Sequence, residues 1–95
     1  MYCEQIIWTK HALEMSKQRR IDMDAAENVV KKGEIINNYP DDKPFPSRLL
    51  LGFEGKRPIH VVVGKDEFNQ DCHVITVYEP DSNVWFSHFK SKKSE

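Results

Sequence analysis

Two β-branched runs, residues 61–63 and 74–78, stand on either side of the polar segment 65–71. Side chains of this kind fit a pleated surface, and a polar segment of that length reverses the chain. Residues 58–81 (PIHVVVGKDEFNQDCHVITVYEPD) therefore read as a β-hairpin. Residues 48–54 form a further strand leading into it, and Gly55 supplies the turn between the two. Upstream, residues 39–47 (YPDDKPFPS) carry three prolines, which exclude helix and central strand and leave an ordered loop or a sheet edge; residues 34–38 read as a short strand.

The first third of the chain is helical by its capping signals. Thr9 is an N-cap in front of the helix formers Ala12, Leu13, Glu14 and Met15, and this helix ends near Arg20. Asp22 caps a second helix, in which Ala26, Val29 and Val30 have the spacing of a buried face and Gly33 marks the stop. Together these elements predict one α+β domain, residues 1–95, with two N-terminal helices on one face of an antiparallel sheet of about four strands. Residues 84–95 follow as an aromatic and basic tail. Its Trp85 and Phe89 suit either stacking on nucleic-acid bases or, as is commoner at that spacing, packing back on the domain.

Composition narrows the function classes. With 14 basic against 15 acidic residues, the chain has no net field of the sort a general nucleic-acid binder presents, so any anion site must be local. No apolar run approaches the length of a bilayer span, and the start MYCEQIIW lacks the pattern of a signal peptide, which points to the cytoplasm and away from membranes. Cys3 and Cys72 form no C-x-x-C pair. Cys72 and His73 are neighbours in a strand and face opposite ways, which argues against both a metal site and a catalytic thiol.

The strands point to one candidate site. Alternation along residues 48–54 and 59–64 separates an apolar set, Leu49, Leu51, Phe53, Ile59, Val61 and Val63, from a mixed set, Arg48, Leu50, Gly52, His60, Val62 and Gly64. Turn length decides whether each set shares a face. A two-residue turn, 55–56, pairs His60 with Leu51 and splits the apolar set. A three-residue turn, 55–57, pairs His60 with Gly52 and keeps the apolar set whole beneath the helices, and this is the register expected. Ile75 and Val77 then join the covered side, and Arg48, His60, Thr76 and Tyr78 line an exposed face lowered by Gly52 and Gly64. A guanidinium, an imidazole and two hydroxyls suit an anion. The bland alternative is an ordinary solvated sheet face, and a helix-borne His11 or Arg19 is ordinary surface chemistry by the same standard.

Taken in order, the segments TKHALE, GEII, YPDDKPFPSRLLLG, PIHVVV and VITVYEPD, with Arg19, resemble the bacterial domain-of-unknown-function family 4258 from about residue 7 to residue 81. That family is similar to the RelE-like and colicin-type ribonuclease toxins. The resemblance implies helices against an antiparallel sheet, metal-independent RNA cleavage through the ribose 2′-hydroxyl, no cofactor, and a zinc-finger antitoxin as partner. Carried over, it places polar positions on His11, Arg19, Ser47, Arg48, His60, Thr76 and Tyr78. It also implies an arginine where this chain has Met15 and a glycine where it has Arg20. As an enzyme, the chain would use His60 or His11 as base or acid and Arg48 as phosphate clamp, with Arg19, Ser47, Thr76 and Tyr78 on the substrate. As a non-catalytic module, the same face would bind RNA or a protein partner. Both readings stay open at this point.

Overall fold

The computed structural model describes residues 1–93; the last two residues of the tail lie outside the described residues. The order of elements is β1 (Ile6–Trp8), α1 (Lys10–Gln18), α2 (Met23–Lys32), β2 (Glu34–Tyr39), β3 (Ser47–Glu54), β4 (Arg57–Asp66) and β5 (Asp71–Tyr78). The strands form one sheet in the order β1-β5-β4-β3-β2. The architecture is α+β with two helices, as expected, but the sheet has five strands and is mixed, because β1 runs parallel to β5 through Ile6–Cys72, Ile7–His73 and Trp8–Val74. Three residues are too few to show a period in sequence, so β1 carried no signal of its own.

Both helices start where expected. The Thr9 hydroxyl accepts from the Ala12 N–H at 3.1 Å, whereas Asp22 stands at the N-cap position of α2 without a side-chain capping bond, and Gly33 ends that helix. Arg20, at the position where the family resemblance places a glycine, has φ 53, in the left-handed region that favours glycine. The α2 face of Ala26, Val29 and Val30 is buried against the sheet.

The register differs from the expected one. The β3–β4 turn has two residues, so His60 pairs with Leu51, Gly52 with Ile59 and Arg48 with Val63. Gly55 has φ 60 at the first central position, the geometry of a type II′ turn, whose twist matches that of the flanking strands. The expected apolar set is therefore divided. Leu50, Ile59, Val61 and Val63 form the core under the helices with Val74 and Val77. Leu49 and Leu51 are buried on the second face, and Phe53 is 52% exposed. Gly52 does not lower a ligand-binding floor: it lies beneath α2, where a Cβ would stand 2.5 Å from Val29 Cγ2. On β5 a bulge between the Val62 and Val63 pairings sets Val74 opposite Val63 and Thr76 opposite Val62, skipping Ile75. Val74 is thereby turned into the core, and Ile75, expected there, is exposed.

The two cysteines are joined. A Cys3–Cys72 disulfide, with Cα atoms 5.5 Å apart, ties the segment before β1 to the start of β5. Cys72 belongs to the core on the helix side, whereas His73 stacks on Phe45 at 4.7 Å on the other side, the divergence expected of strand neighbours. Among the described residues no helix is long and apolar enough to cross a membrane. Among the described residues no three His, Cys, Asp or Glu side chains gather as metal ligands.

Candidate functional site

The second face of the sheet is not open as expected, because the tail folds back over it. After the buried Pro80, the Asp81 carboxylate accepts from the Asn83 N–H at 2.8 Å and its carbonyl from the Trp85 N–H at 2.9 Å, turning the chain. A bridge between Trp85 and Lys92 closes a loop, with the Lys93 N–H donating to the Val84 carbonyl at 2.7 Å. Phe89 meets the otherwise exposed Phe53 edge-on at 6.5 Å, and Lys90 reaches Glu34 at 3.1 Å. Of the two uses weighed for the tail's aromatic residues, Trp85 is packed: it is 8% exposed, and its ring meets that of His60 at 4.5 Å and 87°.

His60 is consequently a fully buried residue, not the solvent-facing group expected. Its Nε2 lies 2.8 Å from the Phe89 carbonyl oxygen, which can only accept, so Nε2 carries the proton. Nδ1 is then the acceptor for the Tyr78 hydroxyl at 3.2 Å. Loss of water around the ring pulls its pKa below the ordinary 6.5, with the Phe89 carbonyl opposing. Tyr78, half-buried, is pushed above 10 by burial and then by the neighbouring Tyr39, while Arg19 acts the other way. The outcome is a neutral, mutually bonded His60–Tyr78 pair whose phenol is the end nearer to solvent.

Two hollows adjoin this pair and share Tyr78, Trp85 and Lys92 as a common wall. The first, about 580 Å³, is lined further by Arg19, Arg57, Glu79 and Asp81. The second, about 550 Å³, is lined by Ile36, Asn37, Tyr39 and Leu49 on the sheet and Lys90 and Ser91 on the tail. Arg57 is engaged structurally: it pairs with Glu79 at 2.8 Å and donates to the Arg19 and Arg20 carbonyls, stapling the end of α1 to the β3–β4 turn. Arg19 donates to the Val77 carbonyl at 2.8 Å, on the stretch of β5 that β1 is too short to cover. Among the described residues neither Arg19 nor Lys92 has a carboxylate partner; Lys92 lies 5.8 Å over the Trp85 ring.

Of the seven expected site residues, four converge. His60 and Tyr78 are bonded, Thr76 lies two residues before Tyr78 on the same face, and Arg19 reaches the same end of β5 from the sheet's rim. The other three do not join them. Arg48 pairs with Val63 on the helix side, its Nη1 3.3 Å from the Met1 sulfur, because the two-residue turn inverted its face. Ser47 is on the second face but buried at its far end, donating to Asp42 at 2.5 Å and tying down the proline loop. His11 sits at the start of α1, where Thr9 bonds Val74. Four residues of strand, roughly 13 Å, separate that point from Tyr78. The wall residues missed were Trp85, Lys92, Tyr39 and Asn37. The aromatic and basic character of the tail was a signal for the first two. Nothing local marked the β2 pair.

The profile of a family described as a domain of unknown function (DUF4258) matches residues 8–79, most of the chain and all of the sheet beyond β1's first residues. It ends before the tail that closes over His60. No curated protein and no solved structure gives a significant match.

Proposed function

The chain belongs to the DUF4258 family, and we propose that it binds single-stranded RNA across the two hollows that meet at Tyr78, Trp85 and Lys92. One observation carries this reading: two cations without carboxylate partners among the described residues, Arg19 and Lys92, line adjoining hollows that also present the rings of Tyr39 and Tyr78. Single strands are held in this way, phosphates by cations and bases by aromatic faces. A formal net charge of −1 gives no long-range attraction, so affinity would come from these few contacts. Two phosphate contacts on a single strand correspond to a salt slope of about −1.4 in log K against log salt. Fluorescence anisotropy with a labelled single-stranded RNA over a salt series tests this. Lys92→Gln should weaken binding and flatten the slope by about 0.7, while Arg48→Ala on the opposite face leaves both unchanged. Absence of binding at low salt, or a Lys92→Gln protein indistinguishable from wild type, overturns the reading.

A second reading, cleavage of RNA through the 2′-hydroxyl, is favoured by the His60–Tyr78 pair, in which a buried imidazole holds the proton of a phenol at the hollow's wall. There the attacking 2′-hydroxyl would give its proton to water, Tyr78 would turn its O–H from His60 Nδ1 to protonate the leaving 5′-oxygen and regain a proton from water, and Arg19 would meet the phosphate. With its pKa raised, Tyr78 suits a proton donor and not a base. Kinship with RelE-like toxins, a cytoplasmic location and a zinc-finger antitoxin partner belong to this second reading. RNA turnover in the presence of chelator that is lost in Tyr78→Phe would place it ahead of the first.

A further inference from the structure

The two hollows differ in chemistry although they share a wall. The first is lined by Arg19 and Lys92, with Arg57 paired to Glu79 and the Asp81 carboxylate engaged by the Asn83 N–H. The second is lined by Leu49, Ile36, the Tyr39 ring, the Asn37 amide and the packed Trp85. Its one further cation, Lys90, is neutralised by Glu34 at 3.1 Å. A phosphate finds its cations in the first hollow, and a base finds a ring, Tyr39, and an amide, Asn37, in the second, whose volume lies in the range of small-molecule sites.

Asn37 adds a directional contact to the second hollow. Its Nδ2 donates to the Tyr39 hydroxyl at 3.3 Å and its Oδ1 accepts from the Asn38 N–H at 2.9 Å. A side-chain amide has two N–H donors and two lone pairs, so one of each remains, enough to meet the adjacent donor and acceptor on a base edge.

Resting on the RNA reading of this face, we infer that the second hollow is a nucleobase subsite, in which one base stacks on the Tyr39 ring with its edge toward Asn37, while the adjoining phosphate sits in the first hollow, which Arg19 and Lys92 line. Lys92, common to both, follows the strand from base to phosphate. The tail outside the family-matched segment supplies Trp85 and Lys92, so this subsite is built jointly by the family domain and this chain's own extension.

The test compares an RNA octamer with an octamer of the same length carrying abasic ribose at every position, each titrated into the full chain. Loss of base stacking should weaken binding about 5- to 100-fold. Tyr39→Leu keeps an apolar side chain and removes the ring. It should weaken the normal octamer by a similar factor and leave the abasic octamer unaffected, and circular dichroism verifies that the variant is folded. Equal affinity for the two octamers in wild type, or an equal effect of Tyr39→Leu on both, overturns the subsite and leaves the RNA reading standing. If neither octamer binds, the RNA reading falls and the subsite with it.

Discussion

Replacing His60 by glutamine separates a buried structural imidazole from the exposed acid–base group that the strand pattern led one to expect. On an open face the change would cost almost nothing. In the folded protein the ring is fully buried, meets Trp85 at 4.5 Å and Tyr78 at 5.2 Å edge to face, and bridges the Tyr78 hydroxyl and the Phe89 carbonyl. Glutamine offers a donor and an acceptor, but its flexible amide cannot hold both at the ring's geometry. Breaking one hydrogen bond costs about 0.5–1.5 kcal/mol. Removing the ring from its edge-to-face pairs with Trp85 and Tyr78 costs about 0.5–1.5 kcal/mol for each pair. The expected destabilisation is about 2–4 kcal/mol, which in a domain of this size lowers Tm by roughly 10–25 °C. Urea unfolding followed by circular dichroism measures the free energy, and Trp85 fluorescence reports whether the tail has left the sheet. Tyr78→Phe, which removes only the hydroxyl, should cost about 1 kcal/mol. A His60→Gln protein within 0.5 kcal/mol of wild type (about the scatter of surface substitutions) with unchanged Trp85 emission would refute the buried register and the tail's place on it.

Two further outcomes follow from the same geometry. His60 has a folded pKa below its ordinary 6.5, so its contribution is fully present above pH 6.5 and is lost as pH falls through the lower folded value. Tyr78, raised above 10, contributes fully below pH 10 and loses it as pH rises through the higher folded value. Unfolding free energy measured against pH should accordingly fall off on both sides of the 6.5–10 window, and His60→Gln should remove the fall that begins below pH 6.5; Asp66, the other lowered group, acts only below 3.8. Reduction of Cys3–Cys72, or Cys3→Ala, opens a loop of 69 residues and should cost about 2–4 kcal/mol; a reduced protein with unaltered Tm would show that β1 is held without the bond.

The helices were legible in sequence because their determinants are local. Thr9 and Asp22 stand at the starts, and Ala26, Val29 and Val30 recur at the period of one face, with no distant partner needed. The central hairpin was legible for the same reason, down to its turn, where the Asp66 carboxylate accepts from the Phe68 and Asn69 N–H groups. Which side of the sheet each residue faces was not. Strand parity has a period of two, so a turn one residue shorter exchanged the faces of Arg48 and Leu50 relative to β4, and one bulge exchanged those of Val74 and Ile75. Gly55 did signal the shorter turn, since its freedom at positive φ suits a two-residue reversal. One wholly apolar face would favour the longer turn, but only where the second face is left to solvent. Only the tertiary structure decided that the second face is covered too, since Trp85 reaches His60 across 25 residues of chain by a reversal at Asp81 that no periodicity announces. Residue types determined local conformation and the stock of chemical groups. The pairing of His60 with Tyr78, the separation of Arg48 from both, and the hollows around Lys92 arise from long-range closure, where a single residue of register or one returning segment decides which groups meet.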